Sequence, residues 1–149
     1  MTTTKSATGT RLRSFKWTGN SLTLVEGSDD DSVVIANMVT YEDVIAALSA
    51  GTLEDGEIPV AGAVACALAA RALLRETAHD YYSRLLHVAR AVERALPDDA
   101  ELTDTLKRVL AAGDEANGPE GVAAAMTAEA VRISHLPARR KKRGKRGGG

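Results

Sequence analysis

The segment Ile58-Pro-Val-Ala-Gly-Ala-Val-Ala-Cys-Ala-Leu-Ala-Ala-Arg-Ala-Leu-Leu-Arg-Glu76 constrains this chain more than any other. Residues 58–70 carry no charge and almost no polar atom. Ala and Leu dominate, and both are strong helix formers. Pro59 suits a first helical turn, where its missing N–H costs nothing. A helix that is apolar on every side has to be covered on every side. Thirteen uncharged residues are short of the roughly 20 needed to cross a bilayer, so the expectation is a core helix in a soluble, cytoplasmic domain with no membrane role. Ala61, Gly62, Ala65 and Ala69 leave room for neighbouring backbones to come close. The remaining segments then read as its wrapping. At 149 residues the chain is long enough for one domain with a real core. Aromatic residues make up only 3%, so Ala, Val and Leu must build that core, which suits closely packed helices.

The wrapping can be read in chain order. Residues 1–10 are expected to be disordered. Residues 11–17 and 21–25 alternate as two strands of a hairpin, with Thr18-Gly19-Asn20 as the turn. Phe15 and Trp17 share one strand face, and Leu22 and Leu24 share one on the partner strand. Residues 27–31 form an acidic turn, and residues 33–36 suggest a third short strand. Thr40-Tyr-Glu-Asp43 has capping-box form and opens a helix to Ala50, with Gly51 as its terminator. Tyr41, Val44, Ile45 and Leu48 lie on one face of it. Thr77-Ala-His-Asp80 has the same form and opens a helix to about residue 96, with Tyr81, Leu85, Val88 and Val92 inward and Arg84, Arg90 and Arg94 outward. Pro97 ends it, and Asp98 or Asp99 caps the next helix. That helix carries Leu102, Leu106, Val109 and Leu110 on one face and stops at Gly113. Residues 114–121 read as a linker. Residues 122–136 form a last amphipathic helix, with Ala125, Ala128, Val131 and Ile133 among its apolar positions. The fold class expected is mainly α: four or five helices around the alanine-rich one, with a small N-terminal hairpin or meander. The helical domain spans residues 11–136, and residues 137–149 form a disordered basic tail.

The order of these parts resembles the N-terminal region of the family that joins methylthioribose-1-phosphate isomerase with the regulatory subunits of translation initiation factor 2B. Those proteins open with a hairpin ending in Trp-x-Gly-x-x-Leu-x-Leu-Leu-Asp-Gln, and Trp17-Thr-Gly19-Asn-Ser-Leu22-Thr-Leu24-Val25-Glu26 is similar. The family follows with a short helix ending in Ala-Ile-x-x-Met, where this chain has Val44-Ile45-Ala46-Ala47-Leu48. A loop reading Arg-Gly-Ala-Pro-Ala-Ile-Gly then leads into a helix ending Ala-Leu-Ala-Ala. Here Glu57-Ile58-Pro59-Val60-Ala61-Gly62 leads into Ala67-Leu68-Ala69-Ala70. The stretch Arg-Pro-Thr-Ala-x-Asn-Leu-x-x-Ala-Leu-x-Arg-Met-Leu is matched in register by residues 96–110, with Pro97, Leu102, Leu106, Arg108 and Leu110 in place. The resemblance covers residues 11–136.

What the resemblance implies for chemistry is largely negative. In family isomerases the arginines of the Arg-Gly-Ala-Pro loop and of the Arg-Pro-Thr-Ala stretch are implicated in holding the sugar phosphate, a task that suits a bidentate guanidinium. Aligning the prolines puts Gly56 at the first arginine and Leu96 at the second. Gly56, Glu57, Ile58 and Leu96 are thus degenerate phosphate-loop positions, and Asp55, Glu57, Asp98 and Asp99 make both loops repel phosphate. The family's catalytic Cys and Asp belong to a C-terminal Rossmann-like domain that this sequence is expected to lack. The resemblance therefore implies no catalytic residue here. If the chain serves an aldose–ketose sugar-phosphate isomerase at all, it does so with a separate catalytic chain.

Other candidate chemistry is sparse. Cys66, the single cysteine, excludes an internal disulfide and reads as a small buried hydrophobe. His79, His87 and His135 have no i, i+4 partner, and Asp29-Asp30-Asp31 lacks the ligand spacing of a calcium loop. No metal and no cofactor is expected. The charge is divided: Arg139, Arg140, Lys141, Lys142, Arg143, Lys145 and Arg146 place +7 at one end, leaving 12 of the 19 Lys and Arg against 20 Asp and Glu, a net of −8. Such a run binds phosphates through counterion release without reading sequence, and it also occurs as a mere solubilising tail. Three functional readings stand open: a non-catalytic interaction or scaffold protein that pairs with itself or with a Rossmann-type chain; a nucleic-acid-associated module contacting RNA through the tail; and a split or truncated isomerase-like protein.

Overall fold

A computed structural model describes residues 12–18, 21–27, 32–76 and 80–135. Three strands come first: β1 (Leu12–Trp17), β2 (Leu22–Gly27) and β3 (Ser32–Met38). They pair antiparallel in the order β1-β2-β3. Trp17 faces Leu22 and Phe15 faces Leu24 across the first pair. Period-2 alternation explains why Phe15 and Trp17 lean on the core while Ser14 and Lys16 are exposed. Between β2 and β3 the register slips at Leu24 and Val25, which face Ala36 and Val34, so Ile35 is the extra residue of a bulge. The third strand is longer than the residues 33–36 expected. The hairpin turn residues Gly19 and Asn20 lie outside the described residues.

Five helices follow. In α1 (Tyr41–Ala50) the capping box forms as expected. The Asp43 N–H donates to Thr40 Oγ1 at 3.1 Å, and the Thr40 N–H donates to Asp43 Oδ2 at 3.2 Å. Gly51 ends the helix at φ 76°, a left-handed conformation that favours glycine. The alanine-rich segment is α2 (Ile58–Glu76), and residues 61–70 are buried without exception. All four other helices pack on it. By length and composition α2 is long and apolar enough to cross a membrane, but its surface is spent inside the protein. The closest approach is to α4 (Ala100–Asp114): a Cβ on Gly62 would overlap Leu102 Cδ1. Leu102 is itself fully buried, so it has little room to retreat.

Three expectations need correction. α3 (Tyr81–Ala95) begins at Tyr81 with Asp80 as its N-cap, and no side chain bonds the cap. Thr77 and His79 lie outside the described residues. Tyr81 anchors the start instead, donating its buried hydroxyl to the Ala70 carbonyl at 2.7 Å. In α4, Asp99 provides the cap, its Oδ1 accepting from the Leu102 N–H at 2.9 Å. That helix passes through Gly113 rather than stopping there. The glycine is buried because Val122 and Met126 occupy the space where its side chain would be. α5 (Gly118–Ser134) begins earlier than expected, with Pro119 in its first turn, so the linker shrinks to residues 115–117. Its phase also differs. Val122, Ala123, Met126, Ala130 and Ile133 are buried, whereas Ala128 and Val131 are exposed and Ala125 is half-covered. The larger side chains took the core and left the alanine face outside.

The Gly62–Leu102 contact yields a double-mutant prediction. Gly62→Ala gains about 1 kcal/mol of helix propensity but costs about 1–3 kcal/mol in overpacking, so it should destabilise the chain. In a Leu102→Ala background the clash is gone, and the same substitution should stabilise. Urea unfolding of the four variants checks the change of sign.

Candidate functional site

The end of the bundle where α2 and α4 begin is built from two loops, residues 51–57 and 96–99. The Gly62–Leu102 contact fixes them at the same end. Gly56 is exposed in its turn. The Glu57 carboxylate accepts the Glu54 N–H at 2.9 Å, and the Glu54 carbonyl accepts from the N–H groups of Glu57 and Ile58. Ile58 is buried as the first residue of α2. Leu96 caps the C-terminus of α3 and packs its side chain against the core. The four degenerate loop positions therefore provide a turn, a loop brace and two apolar plugs. Around them stand Glu54, Asp55, Glu57, Asp98, Asp99 and Glu101, and no Lys or Arg occurs in residues 42–70 or 95–106. The field at this end is one an anion avoids.

Other sequence candidates are dispersed. Burial pushes the Cys66 thiol up to about 12, so no thiolate nucleophile is available there. His87 and His135 are exposed on different helices, α3 and the end of α5. Among the described residues no three His, Cys, Asp or Glu side chains converge as metal ligands. Asp29-Asp30-Asp31 and the seven cations Arg139, Arg140, Lys141, Lys142, Arg143, Lys145 and Arg146 lie outside the described residues.

One cluster escaped the sequence reading. Glu129 sits on the buried side of α5, its side chain 9% exposed. Its Oε1 accepts from Arg132 Nη2 at 2.6 Å and Nε at 3.1 Å, and its Oε2 accepts from Arg108 Nε on α4. Burial alone would raise the carboxyl, but the hydrogen bonds from Arg132 and Arg108 outweigh it and hold it below its ordinary value. The guanidiniums remain half-exposed. They stand beside an open cleft of about 400 Å³ between α4 and α5, lined also by Ala111, Ala112, Glu115, Ala125 and Ala128. The signal was available: Glu129 falls three residues after Met126 and four before Ile133, so a carboxylate interrupts the apolar stripe. A charge in that place requires a cationic partner.

The fold is similar to two solved structures. Over 81% of its length the chain matches 5-methylthioribose 1-phosphate isomerase from Pyrococcus horikoshii OT3, with a TM-score of 0.68 and 16% sequence identity, covering 35% of that chain. Over 82% it matches translation initiation factor eIF-2B, subunit delta, from A. fulgidus, with a TM-score of 0.67 and 25% identity, covering 36% of that chain. The chain thus spans about a third of the length of either protein. No protein-family model matches the sequence, and no curated protein does. The fold expected from the resemblance is the fold observed.

The Glu129 clamp has a testable pH signature. A carboxyl held below its ordinary value of 4.5 stabilises the fold above that value, and this contribution is lost as pH falls through the lowered one. Glu129→Gln should cost about 1.5–3 kcal/mol near neutral pH, the range for hydrogen bonds to a charged group. The wild type should also lose more stability than the variant between about pH 6 and about pH 3. Thermal melts across that range check both.

Proposed function

We propose that this chain is a non-catalytic interaction domain with the fold of initiation-factor-2B-like isomerases. The observation that carries this reading is the charge at the loop end. Where the resembling loops place arginines, this chain places six carboxylates, a turn glycine and two apolar plugs. Each carboxylate about 8 Å from a phosphate charge costs roughly 2 kcal/mol at an effective dielectric constant near 20. A sugar phosphate would therefore be expelled from this end rather than held. The compact core of small residues suits a scaffold, with a second copy or a separate Rossmann-type chain as the partner. Purified chain given 5-methylthioribose 1-phosphate should show no isomerisation above the uncatalysed rate, as followed by NMR of the sugar protons. Steady turnover by the chain alone would contradict the proposal.

A second reading rests on the basic run. Seven cations in residues 139–146 provide a phosphate-binding segment with no aromatic residue for base stacking. It implies RNA binding that is blind to sequence, weakens steeply with salt, and is lost on deletion of residues 138–149. Fluorescence anisotropy with a short RNA tests it, and equal affinity for both constructs dismisses it.

A further inference from the structure

α5 is apolar on two sides. Val122, Met126, Ala130 and Ile133 face the core. Ala124, Ala128 and Val131, spaced four and three apart, lie together on the opposite side and are exposed, Val131 by 37%. A helix with apolar residues all round is ordinarily covered all round. The other such helix in this chain, α2, is covered. α4 extends the uncovered surface with exposed Ala111 and half-buried Ala112. Between the two helices runs the cleft floored by Ala111, Ala112, Ala125 and Ala128.

The cleft has a direction. α4 and α5 run antiparallel, since Gly113 meets Val122 and Met126 while Arg108 meets Glu129. Arg108 and Arg132 therefore mark one end, both pinned by Glu129. Glu115 lines the other end, seven residues further along α4, or about 10 Å at 1.5 Å per residue. Arg108 gives only its Nε–H to Glu129, which leaves both Nη groups for other acceptors.

We infer that this face is a self-complementary docking surface for a second copy of the chain. A two-fold axis across the cleft near Ala111 and Ala128 turns it end for end. The arginine end of each copy then faces Glu115 of the other. Alanine floors on both sides let the helix pairs approach closely, and an isologous contact of this kind closes at two copies. A small free anion fits less well, because Glu115 shares the cleft with the two arginines. The inference rests on the interaction reading above and names the partner.

Sedimentation velocity of the full chain over a concentration series tests it. The wild type should form a dimer that high salt weakens. Ala128→Glu and Glu115→Arg, both at exposed positions, should each weaken the dimer at least tenfold while leaving far-UV circular dichroism unchanged. Lys16→Glu, a charge reversal on β1, should leave association intact. A wild type that stays monomeric at its highest soluble concentration overturns the inference, and so does a dimer that survives both substitutions. A monomer that binds another protein would remove this inference and leave the interaction reading standing. A dimer that isomerises sugar phosphate on its own would do the reverse.

Discussion

Enclosure of α2 is the constraint on which the rest depends. Ten consecutive residues without solvent contact leave the other helices no freedom in which side to present. Each must bring an apolar stripe to the same rod, and small side chains on that rod set how near each can come. Gly62 is the extreme case, with Leu102 resting where a side chain would be. This one contact also sets function, because it holds the start of α2 against the start of α4 and so joins two acidic loops at one end of the protein. Packing here decides electrostatics: the loops share an end because the helices behind them touch.

Much of this was legible in the sequence. The alanine run, the Thr40–Asp43 capping box and the stripe of Leu102, Leu106 and Val109 are local patterns, and local patterns survive folding. The failures have physical causes. Gly113 and Pro119 look like breaks, because glycine and proline usually punctuate. In the structure Gly113 is a contact point for Met126 and Val122, and Pro119 occupies a first helical turn. In α5 the apolar residues run round the helix, so spacing alone could not choose the buried side. Volume chose it: Met126 and Ile133 fill space that Ala125 and Ala128 would have left empty. At the loop end the sequence did show which cations were missing, whereas the Arg108–Glu129 pairing joins residues 21 apart and needed the tertiary fold to appear.

The two ends of the story meet in the distribution of charge. Arginine is present, but it has been placed on the outer flank of α4 and α5, held there by a buried carboxylate. It is absent where α2 and α4 begin. A chain with this fold and the opposite arrangement would be suited to gripping phosphate at the loops. As built, the loops repel anions, and the flank offers fixed cations beside an uncovered alanine surface. This argues for contact with protein rather than with a small phosphorylated substrate.

The most direct test of that account is a titration of isotopically labelled chain with inorganic phosphate, following the backbone amides of Gly56, Ile58, Leu96 and Leu102 by NMR. The account predicts shifts no larger than those caused by the same ionic strength of sodium chloride. Saturable shifts at these amides would mean that the acidic end holds phosphate after all, and the central claim would fail.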